Sequence, residues 1–178
     1  MTTESEHCLC LNVVNMQQPK MVVRKSIPST QLAIMQENLL NLNYWPFWNK
    51  FANRILSENQ GELSVNQRID LHRIVARQLI EDMWLISEIN HGNSPQFVQL
   101  VMVWKGQTIN GRTAALAIKN LTIDITILME DDGGLEITAW WEITRLSKVL
   151  AFGNKVARQI VNQIFDDLIE YGINRYTI

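Results

Sequence analysis

The sequence predicts an α+β domain: an antiparallel sheet of about four to six strands, a helical block inserted after the N-terminal strand or strands, and a long C-terminal helix packed on one sheet face. Three observations predict it. Apolar residues alternate through residues 121–129 and again through 135–143, with turn residues between the two runs. The stretch from Ser147 to Gly172 repeats apolar residues at helical spacing. From Thr30 to Asn90 the pattern reads as helix, divided by a proline bend and again at Gly61.

In chain order, Cys8 to Val14 and Met21 to Lys25 are short apolar runs separated by the turn-like Gln17-Gln18-Pro19, so they are expected to be strands and to form a hairpin. Pro28 closes the extended part, and Ser29 or Thr30 can cap a helix over residues 30–42 carrying Leu32, Met35, Leu39 and Leu42. Pro46 suits the first position of a helix and not its interior, which splits off a second helix over 46–58 with a bend at Asn43-Tyr44-Trp45. Ser64-Val65-Asn66-Gln67 has the form of a capping box and opens a third helix running to about Asn90, with Val65, Ile69, Val75, Leu79, Met83 and Ile86 on one stripe.

After a stop at His91-Gly92-Asn93-Ser94-Pro95 the chain turns to strand. Gln96 to Lys105 is β-rich, and the Asn110-Gly111 turn reverses it into Thr113 to Lys119. The alternating runs 121–129 and 135–143 then form a hairpin around Glu130-Asp131-Asp132-Gly133-Gly134. Both apolar sets fall on odd positions, so opposed residues must sum to an even number for one face to stay dry. The last helix starts near Ser147, or restarts at Asn154, and brings Val149, Val156, Ile160, Ile164 and Leu168 to the dry face of the hairpin.

At 178 residues, 47% hydrophobic and 19% charged, the chain reads as one domain spanning 1–178, with residues 1–6 lacking fixed structure. A net charge of −2 gives no general reason to bind nucleic acid. The start has no secretory pattern and no apolar run is long enough for a membrane span, so a cytoplasmic protein is expected.

Chemistry-bearing motifs are scarce. Cys8 and Cys10 read as two reduced thiols on one strand face; the alternative, a metal site joining them to His7 and His72 or His91, lacks a second ligand pair. His72 fits a hydrogen-bonded structural histidine, and Ser87 with His91 has no third group to complete a triad. Asp131 and Asp132 are explained by turn geometry; Asp166, Asp167 and Glu170 sit against the helix dipole and read as a solvated face or as a patch for a basic partner. No catalytic residue, metal ligand or cofactor is expected.

What stands out is aromatic. Tyr44, Trp45, Phe47, Trp48 and Phe51 crowd one bend, and the hairpin register sets Trp140 on the polar face among Thr126, Thr138 and Glu142, where a covering group is required. The leading expectation is a non-catalytic interaction protein, an adaptor or chaperone-like subunit, meeting a protein partner or a second copy through Trp140, Trp45, Trp48 and Tyr44.

The order of elements, an early strand, a helical block, three or four antiparallel strands and a long terminal helix, resembles that of helix-grip domains. In these a curved sheet wraps a terminal helix around an apolar pocket. The resemblance implies the alternative function, a binder of small apolar ligands, with Ile125, Trp141, Ile160 and Ile164 as pocket residues between hairpin and helix.

Overall fold

The computed structural model describes residues 18–114, 118–130, 133–144 and 153–175. It begins with β1 (Met21–Ser26) and α1 (Ser29–Leu40), a single 3-10 turn at Leu42–Tyr44, and one turn of helix, α2 (Trp45–Trp48). Seven strands follow: β2 (Arg54–Ser57), β3 (Arg68–Val75), β4 (Gln78–Asn93), β5 (Gln96–Ile109), β6 (Arg112–Thr113), β7 (Ile118–Leu128) and β8 (Gly134–Ile143). The helix α3 (Gly153–Glu170) closes the series. All pairings are antiparallel, in the order β1-β8-β7-β5-β4-β3-β2, and β6 folds back on the end of β5.

The hairpin β7–β8 has the even-sum register that its apolar pattern demands. Ile123 faces Ala139, Ile125 faces Ile137, and Ile127 faces Leu135, all completely or almost completely buried. Against this face lies α3, whose Ala157, Ile160, Val161, Ile164 and Leu168 form a buried stripe. Burying five such side chains contributes on the order of 10 kcal/mol before ordering entropy is counted. The fold class is therefore the expected α+β, with the terminal helix on one face of an antiparallel sheet.

The helical block is smaller than expected, and the sheet correspondingly larger. Residues 64–90 form no helix: they build β3 and most of β4, joined by a two-residue turn at Ala76-Arg77. Both turn residues take positive φ, 49° and 65°, the geometry that matches strand twist but is usually left to Gly or Asn. Ser64 and Gln67 do bond, the side-chain Oε1 of Gln67 accepting from the Ser64 N–H at 3.0 Å. Gln67 also donates to Ser57 Oγ and to the Asn59 carbonyl, so the motif closes a loop between β2 and β3 and caps nothing.

The second expected helix, 46–58, stops after one turn. Asp167 of α3 accepts the N–H groups of Lys50 and Phe51 at 2.8 and 3.2 Å, donors that a continuing helix would have turned inward. Ile55 and Leu56 then lie in the edge strand β2. The rings around the bend anchor the end of α1: Trp45 donates to the Leu39 carbonyl at 2.9 Å and Trp48 to the Asn38 carbonyl at 3.0 Å. Carbonyls at a helix C-terminus lack intrahelical partners, and two indoles supply them here. Asn38 in turn donates to the Gly172 and Asn174 carbonyls, tying α1 to the chain after α3.

The expected strand at Cys8 to Val14, the roles considered for Cys8 and Cys10, the start of the last helix at Ser147, Val149, and the turn residues Asp131 and Asp132 lie outside the described residues. No described helix is long and apolar enough to cross a membrane.

Candidate ligand-binding cavity

Two β-bulges shape the wall of a cavity of about 580 Å³ between α3 and the β3–β5 side of the sheet. In β5 the pairing slips so that Trp104 faces Trp84 while Gly106 faces Met83, leaving Lys105 unopposed. Gly106 makes this possible with φ of 142°, and a Cβ there would lie 3.3 Å from the Met83 methyl. Before the bulge Leu100, Met102 and Trp104 are buried toward the helix; after it Gln107 takes that direction. The bulge in β7 does the same, so that Ile118 and Leu121 are both buried on the helix side.

The consequence is a polar cluster on an otherwise apolar wall. Asp82 is buried, and its Oδ1 accepts from Gln107 Nε2 at 2.7 Å and Trp104 Nε1 at 3.3 Å. Its Oδ2 accepts from Arg73 Nε at 3.1 Å. A buried carboxylate with three donors and a cationic partner is satisfied, which is the condition for tolerating it there. Arg73 is set over the Phe51 ring, 4.2 Å from its centre. Its two terminal nitrogens make no hydrogen bond among the described residues, and the side chain lines the cavity.

The remaining wall divides by chemistry. Phe51, Trp104, Ile118, Val156 and Ile160 are apolar, while Gln159, Asn162, Gln163 and Asp166 line it from the exposed side of α3. The space is of a size that holds a small molecule, and it joins an aromatic and aliphatic surface to a small set of polar groups. Next to it Asp167 is buried, and accepts from Gln163 Nε2 at 2.7 Å besides the two backbone donors. Burial pushes its carboxyl above the usual range, and the hydrogen bonds pull it part of the way back.

The sequence-expected residues are dispersed by the fold. Of the four expected pocket residues only Ile160 lines the cavity; Ile125, Trp141 and Ile164 are in the core, and the Trp141 indole donates to Asn154 at 2.9 Å, holding β8 to the start of α3. Trp45 and Trp48 are 1% exposed, so they are core anchors and are not available to a partner. Tyr44 is half-buried and its hydroxyl lies 3.4 Å from Glu37. Trp140 is half-buried on the outer face, opposite Thr122. His72 faces outward 3.6 Å from Glu81, and Ser87 and His91 are on an extended strand, about 13 Å apart along it.

Sequence reasoning misses Arg73, Asp82 and Gln107 as site residues. The usable signal is the alternation Ile69-Leu71-Arg73 and Asp82-Trp84-Ile86, each with a charge at the end of an apolar row. A second groove, of about 620 Å³ between α1 and β4, is lined by Gln36, Glu37, Glu62 and His91 among others, and has no comparable buried cluster behind it among the described residues.

No family model matches the sequence, and no curated protein matches it either. Solved structures do. A hypothetical protein, jhp0584 from Helicobacter pylori, superposes with a TM-score of 0.58 at 12% identity, over 97% of this chain and 96% of that one. Ara h 8.0201 gives 0.57 at 10% identity, covering 87% and 96%. TTHA0849 from Thermus thermophilus gives 0.51 at 11% identity, covering 86% and 94%. At such identities the likeness establishes the architecture, which is the helix-grip (Bet v1-like) fold.

Proposed function

We propose that this domain binds a small amphipathic molecule in the cavity between α3 and the sheet, as a carrier or sensor and not as a catalyst. The observation that carries the reading is the composite wall: Phe51, Trp104, Ile118, Val156 and Ile160 to receive an apolar body, and Arg73, whose terminal nitrogens are uncommitted among the described residues, to receive an acceptor or anionic end. The helix-grip architecture supports it, because the cavity lies between the sheet and the terminal helix. Interaction through the bend aromatics has less support, since Trp45 and Trp48 are spent on holding α1.

Titration with the anionic fluorophore 8-anilinonaphthalene-1-sulfonate tests this. Saturable one-site binding is expected, and Val156→Trp, which fills the space from its α3 wall, should weaken it roughly tenfold or more with far-UV circular dichroism and a cooperative urea transition retained. Undiminished binding by a folded Val156→Trp protein would sink the proposal. Native mass spectrometry adds a second readout: a copurifying small molecule supports the cavity, whereas a clean dimer or heteromer supports the interaction protein.

A further inference from the structure

We propose that the tips of the β3–β4 and β5–β6 hairpins form a docking surface for an anionic phospholipid bilayer, beside the cavity. Large exposed hydrophobic side chains among the described residues are few, and Ile74, Val75 and Leu79, at 67%, 47% and 37% exposure, fall on this one tip. The register sets Ile74 directly opposite Leu79, so two of them stand side by side.

The neighbouring tip is locked to the first. Asn110 donates its N–H to the Leu79 carbonyl at 2.8 Å, and the Leu79 N–H donates to Asn110 Oδ1 at 2.9 Å. Together the tips carry exposed Arg77 and Arg112, with Lys105 exposed further along β5. Residues 71–80 and 104–114 contain no Asp or Glu. The nearest carboxylates are engaged: Glu81 by His72 and the Thr108 hydroxyl, and Asp82 by Arg73 inside the fold.

Aliphatic side chains beside cations that make no ion pair among the described residues match the interface of an anionic membrane, which takes up apolar groups and attracts basic ones. A protein partner fits less well, because interface hot spots are anchored by aromatic residues, and the tips, residues 74–79 and 109–113, contain none. Arg77 also occupies a positive-φ position where Gly would be unstrained, so the turn keeps its cation at a backbone cost. Ile74 follows Arg73 in sequence, and Gln107 precedes the second tip; both Arg73 and Gln107 line the cavity. Passage of a ligand between bilayer and cavity rests on the proposed function, whereas the docking itself does not.

Co-sedimentation with vesicles of phosphatidylcholine, with and without phosphatidylglycerol, is the test. Binding is expected only with phosphatidylglycerol and should weaken with added salt. Arg77→Gly removes the charge while easing the backbone, so the fold is kept and partitioning should fall roughly fivefold. Ile74→Ser with Leu79→Ser should reduce it further. Fluorophore binding in the cavity should be unchanged in both tip variants, and Val156→Trp should dock as the parent does, which separates failure of docking from failure of the cavity reading. Absence of phosphatidylglycerol-dependent binding, its persistence in both tip variants, or loss of a dimer in place of loss of vesicle binding would overturn the proposal.

Discussion

Asp82 and Arg73 show why the site was not legible residue by residue. On the helix that residues 64–90 were expected to form, positions nine apart point in opposite directions and lie about 13 Å apart along the axis. On adjacent antiparallel strands the same two residues are diagonal neighbours and bond at 3.1 Å. One wrong period hides the cluster. Asp124, by contrast, falls on the polar row of a correctly read strand, where it accepts from Gln99 and Thr126. Desolvation raises its carboxyl above the usual aspartate value of about 3.9, with Glu136 and Glu88 adding to the rise.

The native state then holds that proton more tightly than the unfolded chain does. Below the unfolded value both states are protonated and nothing is lost; as pH rises from there to the raised native value, stability falls, and above it the deficit is constant. Asp124→Asn should remove this part of the decline, leaving the variant more stable than the parent at neutral pH and closer to it in acid. Urea midpoints measured across the acid range check it, and an unchanged slope would refute it. The decline contributed by Asp167, shifted in the same direction, should remain.

Among the elements, those with local signals are legible in the sequence. The β7–β8 hairpin has strict alternation and a Gly-rich turn, and α3 has an uninterrupted helical stripe. The β3–β4 hairpin lacks such a marker: Ala and Arg are good helix formers, and nothing in Ala76-Arg77 announces a reversal. Its strands also carry Leu, Gln, Glu and Met, so local preference agreed with the wrong answer until pairing with β2 and β5 overrode it. The bulge in β5 was invisible for a similar reason, since one Gly in a strand pattern has several readings. It is testable nonetheless. Gly106→Ala must adopt φ of 142° and crowd Met83, which should cost about 1–3 kcal/mol and turn Gln107 away from Asp82. A lower urea midpoint together with weaker fluorophore binding is expected; a variant equal to the parent in both would show that the bulge does not set the wall.

For the whole molecule, the α+β class and the seat of the terminal helix were legible because they depend on long periodic segments. The cavity was not, because its walls come from β3, β5, β7, the chain after α2 and α3, which meet only once the sheet is assembled. A ligand held by all of them stabilises the native state as a unit. At a free concentration about a hundredfold above Kd it should add about 2.7 kcal/mol. For a chain of this length that raises Tm by about 5–10 °C. Differential scanning fluorimetry across a lipid and metabolite panel reads this directly, and Val156→Trp should cut the shift by about half or more.

The place of β1 has a consequence for how the chain is made. Every other described pairing joins strands that are near neighbours in sequence, but Met21–Ser26 must wait for residues 134–139. At ordinary elongation rates of about 5–20 residues per second, that wait is on the order of 10 s. During synthesis the β2–β5 meander can assemble while β1, already off the ribosome, stands idle. It is seated only when its partner emerges, so translation order and assembly order run in opposite directions at this edge of the sheet.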